Sequence, residues 1–590
     1  MSTYRIELEK TDTWTFVFLR NYLVRLPIDT EVTDAIPRTI SFAFWTTLLT
    51  VPLALVTALI INQRFRGASI MFVITMLPWA VAPVVTGVFW KFMFQPRYGL
   101  ATAVYYWLHL SRTPIGWLND PDTAVRIAVT ATAWRSVPLL TVLILAALRT
   151  IPSAQYRAAK MDGANVWQRF LYITLPSLRN TLLLVGILQV IISLQVFDIL
   201  YTLTGGGPGR QTEVLVYTIY QDAFINLSFG YASALTVFLF GLILAFSAFL
   251  VYLRIRSRER STEEDRGAGL VAQGFEGRST LGFARPSATK ATPEFPPLEW
   301  RRRRLRLPSW LPKGLVAVLA LGLTAFYLAP IAWIVIASVQ PESAITSEPP
   351  QFTPDLQLDG YNFLLTDSRW LQSGAVSIET AVLTMGLTLL LASLAAYPLA
   401  RFRIRGQGVV LALLIFTQMV PAIVLAIPVL IIFQNLNLKD TVLALVIVDT
   451  AFQFPLIVWL LRNVFEDVPV AIEKAARIDG CTRLGTLFRV TIPTAVPGIA
   501  AAAILLLIGT WNEFLFAVIL GDKFAVTITR RISFTESFNK LSETVSSLNV
   551  PPPAHVIATG GVMAVLPCLL LVLFFHRRII SGLTEGFVKA

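Results

Sequence analysis

Four ionisable side chains, Arg135, Asp198, Asp449 and Glu513, fall inside runs that are otherwise apolar enough to lie in a bilayer. A charge at the centre of a membrane costs roughly 2.5–3.5 kcal/mol on insertion scales, so such groups face protein or a polar cavity. Gln195 and Tyr201 flank Asp198 at i, i+3 and i+6, which puts the three about one face of a helix. An amide and a carboxylate bind hydroxyl groups, and an aromatic ring covers the apolar face of a sugar. The trio has the chemistry of a site for a hydroxylated ligand, and equally that of polar groups stitching helices together. Trp134 beside Arg135 offers the same two readings.

No catalytic centre is expected. The pattern G-x-x-x-x-G-K-[ST] is absent, and the glycine run Gly205 to Gly207 lacks the lysine that would hold a phosphate. There is no His-Glu-x-x-His and no nucleophile triad. His109, His555 and His576 share no ligand spacing with a cysteine or carboxylate, so no metal site is expected. Cys481 falls in a polar loop and Cys568 in an apolar run, which argues against a disulfide. The chain is expected to bind no cofactor of its own.

The elements that must position these groups follow from composition. Of 590 residues, 55% are apolar and only 14% charged, with a mean hydropathy of +0.65. So little charge cannot cover a large soluble core, whereas lipid can. A soluble enzyme, a secreted disulfide scaffold and a disordered chain are excluded. Eleven candidate spans lie near 38–62, 69–94, 124–148, 178–202, 229–253, 314–338, 376–400, 408–433, 442–461, 495–520 and 556–576. The net charge of +13 sits mostly between them, where it orients the chain in the bilayer rather than meeting nucleic acid. Basic loops hold Arg64 and Arg66, Arg149 to Arg169, Arg401 to Arg405, Lys474 to Arg489, and Arg577 and Arg578. The loop 339–375 holds five carboxylates and one arginine. The positive-inside rule places the first set in the cytoplasm. Residues 254–313 carry about 14 basic and 7 acidic residues, with no apolar period, and end near Arg301 to Arg304. They read as a disordered cytoplasmic linker between two membrane domains, 1–253 and 314–590. The basic run suits anionic membrane lipid, or simply flanks the next span.

The two domains repeat. PSAQYRAAKMDGANVWQRFLYITLP at 152–176 matches PVAIEKAARIDGCTRLGTLFRVTIP at 469–493 without gaps, at an offset of 317. Both copies lie on the same side, which gives parallel topology rather than the inverted repeats of many secondary transporters. Each reads as a short helix opened by proline, closed by Asp-Gly, and followed by a second short helix. A helix of about ten residues does not hold its shape alone and must be packed, on the spans or on a partner.

Ala-Ala, Asp-Gly and Leu/Ile-Pro at these spacings resemble the EAA loop of permease subunits in binding-protein-dependent ABC importers. FQPRYGL at 94–100, LTGGGPGRQTE at 203–213, FGYASAL at 229–235, WNEFLFA at 511–517 and SGLTEGFVKA at 581–590 are similar to the carbohydrate-uptake, maltose-type branch. The first half looks like the F-type subunit and the second like the G-type subunit. The resemblance implies an all-α polytopic membrane protein, a type I importer permease with parallel repeats of about five and six spans. It implies a multi-pass protein of a prokaryotic plasma (inner) membrane, with linker and C-terminus cytoplasmic. It implies a cytoplasmic ATPase dimer that uses ATP and Mg, an extracytoplasmic solute-binding protein, and a sugar as cargo. A polyol or another small solute is the alternative cargo, and an ion-coupled secondary transporter using Asp198, Asp449 and Glu513 is the rival class.

Residue by residue, Arg157, Ala158, Ala159, Asp162 and Gly163, with Lys474, Ala475, Ala476, Asp479 and Gly480, stand as coupling loops. In the resembling system the sugar sits where Gln195, Asp198 and Tyr201 fall, and Trp511, Asn512 and Glu513 match a motif read as gate or cavity lining, or equally as a structural hydrogen-bond network. Two features depart from the family. Arg157 and Lys474 replace the motif's glutamate, while Glu473, one position earlier, points elsewhere on the helix. Residues 12–38 look like the loop before the family's second helix, so either the start is mis-assigned or the first half has five spans and an external N-terminus.

Overall fold

The computed structural model describes residues 4–6, 14–16, 19–248 (without 64, 66, 111, 112 and 114), 313–347, 356–402, 404–533 and 553–588. The expected linker thus lies outside the described residues, except Lys313, which opens a helix. Apart from a three-residue antiparallel pair, Tyr4–Ile6 with Trp14–Phe16, the described elements are helical.

In the first half these are α1 (Thr30–Ile61), α2 (Ala68–Ala80), α3 (Pro83–Met93), α4 (Pro121–Thr150), α5 (Ser153–Met161), α6 (Leu175–Leu194), α7 (Asp198–Leu203) and α8 (Phe229–Ala248). In the second they are α9 (Lys313–Ser338), α10 (Ser368–Arg401), α11 (Gln407–Thr417), α12 (Ala422–Asn435), α13 (Val442–Glu466), α14 (Val470–Ile478), α15 (Val496–Trp511), α16 (Leu515–Leu520) and α17 (Ala554–Val588).

Each half is built on the same three-helix unit. α1 packs along α4 and α6, and α10 packs along α13 and α15 in the same arrangement. The packing faces are made of small residues: Thr46, Thr50, Ala54 and Thr57 on α1, and Thr380, Thr384, Thr388 and Ala392 on α10, all buried. The large apolar residues of the same helices, such as Phe44, Trp45, Val382 and Leu390, point outward. This is the logic of a lipid solvent. Lipid tails are as apolar as leucine, so helices associate by close backbone approach rather than by burying bulk.

The halves then embrace. α9 and α17 of the second half pack on α2 and α3 of the first. Tyr327 and Thr57 share a hydroxyl hydrogen bond at 2.9 Å, and Trp134 Nε1 donates to the Phe326 and Tyr327 carbonyls. In return α8 lies on α11 and α12, with Ala232 against Ile427 and the Phe240 and Phe416 rings 5.9 Å apart.

The eleven expected spans become eight uninterrupted apolar helices among the described residues, and ten if two bent pairs are counted as spans. α2 and α3 bend by 103° at Val81–Ala82, ahead of Pro83. The span expected at 408–433 is two short helices, α11 and α12, parted before Pro421. The spans expected at 178–202 and 495–520 stop at Leu194 and Trp511 and restart after three residues. Proline removes an N–H and crowds the preceding turn. Broken backbone at this depth survives only where it is buried in protein or lines a cavity. The expected lengths were right for the membrane, but a uniformly apolar run does not reveal its interruptions.

Candidate functional site

The offset of 317 persists well beyond the repeat read in the sequence. α6 ends at Leu194 and α15 at Trp511; α7 spans 198–203 and α16 spans 515–520. In the breaks, Phe197 (φ −129°) and Phe514 (φ −132°) take matching backbone conformations. Their rings stack across the interface between halves, 6.4 Å apart and 22° from parallel.

The break residues also reach across. Gln195 Nε2 donates to the Met419 carbonyl at 3.3 Å, between α11 and α12. Asn512, its equivalent, donates through Nδ2 to the Ala80 carbonyl at 3.3 Å, where α2 meets α3. Each half therefore uses an amide to occupy a carbonyl freed by the other half's bend.

Around this centre the structure gathers Gln195, Asp198 and Tyr201. Asp198 opens α7, half-buried, with the Arg135 guanidinium as electrostatic neighbour. Arg135 Nε donates to the Val81 carbonyl at 3.2 Å. Tyr201 sits in an aromatic group, 5.5 Å from both Tyr220 and Phe514. Asn512 and Glu513 lie in the counterpart break. The Glu513 carboxylate accepts from the Phe516 and Ala517 amides at 2.6 and 3.0 Å, capping α16. Asp449, 4% exposed, is its electrostatic neighbour. Trp511 turns away. Its Nε1 donates to the Ala564 carbonyl of α17 at 2.9 Å, and it borders a cavity of about 150 Å³ with Cys568 and Ile378. Trp134 also faces elsewhere, fully buried against α9.

Phe197, Phe514, Tyr217 and Tyr220 belong to this centre and were missed from sequence. Continuing the 317 register past residue 493 would have paired the two phenylalanines.

The glycine run at 205–207 is a folded loop rather than a cradle. Gly205 N–H donates to the Leu200 carbonyl and Gly207 N–H to the Thr204 carbonyl. Arg210 clamps the loop through Glu213 (2.6 Å) and Glu31.

The Asp-Gly segments form the second feature. α5 and α14 close by the same capping pattern. Asp162 N–H donates to the Ala158 carbonyl and Ala164 N–H to that of Ala159; Asp479 and Cys481 do the same to Ala475 and Ala476. This pattern needs a left-handed residue, and Gly163 (φ +79°) and Gly480 (φ +89°) supply it. Arg157, Ala158, Asp162 and Gly163 are exposed, as are Lys474, Ala475, Asp479 and Gly480; Ala159 and Ala476 are half-buried. Met161 and Ile478, also equivalent, are 88% and 86% exposed. Glu473 turns inward, away from that face, and is 5% exposed.

Among the described residues no group of histidine, cysteine and carboxylates is placed to hold a metal.

Comparison with known proteins completes the picture. The trehalose/maltose transport system permease protein MalF of Thermococcus litoralis is 38% identical over 260 residues, 43% of this chain and 86% of that protein. The sn-glycerol-3-phosphate transport system permease protein UgpA of Brucella suis is 35% identical over 238 residues, 40% of this chain and 79% of the relative. A crystal structure of a bacterial ABC transporter involved in the import of the acidic polysaccharide alginate matches at 26% identity and a TM-score of 0.39, over 45% of this chain and 95% of that one. The family profile of the binding-protein-dependent transport system inner membrane component matches twice, at 36–259 and 388–585, once in each half. With two copies of that domain on two repeats of the same helical unit, the chain belongs to the binding-protein-dependent transport system inner membrane components, the multi-pass permeases of ABC importers.

Proposed function

We propose that this chain is the complete membrane-spanning part of an ATP-driven importer for a sugar or a related polyol, with both halves of the translocation path in one polypeptide. An extracytoplasmic solute-binding protein delivers the cargo. A cytoplasmic ATPase dimer, which binds ATP and Mg, docks on α5 and α14 and drives the cycle, while the chain itself hydrolyses nothing. Linker and C-terminus lie on the cytoplasmic side.

The observation that carries this reading is the matched pair of short helices. Two helices of nine residues, in one register, each present a base, an alanine and a nearly naked apolar residue to solvent. Met161 and Ile478 left open at equivalent positions suit a two-fold partner that covers both. At the centre, Gln195, Asp198 and Tyr201 supply hydroxyl-binding groups and an aromatic wall at the break between halves.

The test is reconstitution. Purified with its ATPase and solute-binding protein in proteoliposomes, the chain should import solute on ATP addition without a second permease subunit. A requirement for another membrane chain bearing a docking loop would overturn the reading. Uptake driven by an ion gradient without ATP would move the protein to the secondary transporters.

A further inference from the structure

The two docking helices are matched on their outer faces but not on their inner ones. At the inward position of α5 stands Tyr156, 3% exposed, whose hydroxyl shares a 2.8 Å hydrogen bond with Thr174. The equivalent position of α14 is Glu473, and Thr491, equivalent to Thr174, donates to it at 2.7 Å. A carboxylate here is out of place unless something neutralises it, because an unpaired buried charge is costly.

The neutralising group is Arg401, the last residue of α10, 72 positions away. Its Nε donates to Glu473 Oε2 at 2.8 Å and its Nη2 to Oε1 at 2.9 Å, a two-pronged pairing. The same Nη2 donates to the Val468 carbonyl at 2.8 Å, just before α14 begins. Arg401 and Glu473 side chains are 9% and 6% exposed. Arg401 thus grips α14 at its approach and at its middle. A planar guanidinium on a carboxylate fixes orientation as well as distance. α10 is in turn a member of the three-helix unit that ends at the central break.

We propose that Arg401 and Glu473 are positioning residues that make α14 and α10 one rigid lever, so that force applied to the second docking helix reaches the translocation path. The first docking helix, held at that position by a neutral Tyr156–Thr174 bond, is the more compliant attachment. The inference rests on the reading of α14 as the docking helix.

Glu473→Gln keeps the shape and the Thr491 bond but removes the charge. In the reconstituted importer it should lower maximal uptake at least tenfold while changing the solute KM less than twofold. ATP hydrolysis should continue, so that more ATP is consumed per solute moved. The exchange Arg401→Glu with Glu473→Arg should recover at least part of the lost coupling, and Tyr156→Phe should leave it near the parent value. Hydrogen exchange on the purified chain alone should show faster exchange at 470–478 in Glu473→Gln, with 153–161 unchanged. That measurement needs no ATPase, so it separates the two ideas. Unchanged exchange at 470–478, or an unchanged ratio of ATP to solute, would overturn the lever. Faster exchange with ATPase binding that ignores both docking helices would overturn the docking reading instead.

Discussion

Valine at Gly163 or Gly480 isolates a single physical cost. Both glycines hold a left-handed backbone, at φ +79° and +89°, and close the helices before them. A Cβ built at either position meets no heavy atom within 4 Å, so the first side-chain carbon clashes with nothing. What remains is the intrinsic penalty of the left-handed region, about 1–2 kcal/mol for an L-residue. That corresponds to roughly a 5- to 30-fold loss in the ratio of closed to open turn. A nine-residue helix has little stability of its own, so the loss falls directly on its docking geometry. Asparagine visits this region at lower cost. Gly163→Asn and Gly480→Asn should therefore lie near the parent, and the two valine variants well below it. The assay is ATPase binding to the chain in nanodiscs, beside uptake in proteoliposomes, with membrane levels as the control for insertion. Parent-like binding and uptake by both valine variants would show that these loops are connectors. Asparagine variants as impaired as valine ones would show that glycine is needed for something other than its φ.

Three further outcomes are expected. Asp198→Ala and Tyr201→Ala should each raise the solute KM by roughly 2- to 13-fold, the worth of one neutral hydrogen bond at about 0.5–1.5 kcal/mol, with assembly unchanged; parent-like kinetics in both would place the ligand elsewhere. Arg157→Glu and Lys474→Glu should weaken ATPase docking more at low salt than at high salt, because screening already reduces attraction between exposed charges; salt-independent loss would mean packing rather than charge. Burial works to raise the Glu342 carboxyl, but the His555 ring at 3.0 Å and the Ala554 and His555 amides outweigh it and hold it below the usual carboxylate range. A lowered folded value stabilises above the ordinary value, about 4.3, and is lost as pH falls through the folded one. Melting of the parent should thus drop more steeply than that of Glu342→Gln as pH falls below about 4; parallel curves would refute the linkage.

How much of this was readable beforehand depends on the range of the interaction. The short helices α5 and α14 were legible almost whole, because proline, paired alanines and Asp-Gly are local signals with local causes. Their inner anchors were not. Glu473 was expected to point elsewhere on the helix than Lys474, but its partner lies 72 residues back at the end of another span, and nothing in either local pattern names the other. The central trio was expected on one helix face, but the helix ends before Gln195 and a new one opens at Asp198, so the i, i+3, i+6 spacing does not put the three on a single helix. Within a uniformly apolar span, hydropathy reports length and not rotation. That is why Trp511, adjacent to Asn512, could point toward Ala564 on α17 while its neighbour bonds across to the other half.

The repeat carries an argument about where the cargo is held. Superposing the halves by 317 residues pairs Gln195 with Asn512 and Phe197 with Phe514, so the amide and the ring are duplicated across the interface. The same register pairs Asp198 with Leu515 and Tyr201 with Val518. The duplicated residues hold the two halves to one another: the amides bond the opposite bends, and the rings stack. Asp198 and Tyr201, whose chemistry suits a hydroxylated ligand, are present once, in the first half, while Glu513 and Asp449 are present once in the second, opposite Val196 and Thr132. A frame that is symmetric in its fastenings and asymmetric in its polar groups separates the two tasks. Introducing Leu515→Asp should not create a second equivalent site, because no arginine stands at the position matching Arg135, which is Phe452. An added carboxylate there would lack the guanidinium that makes Asp198 tolerable at this depth.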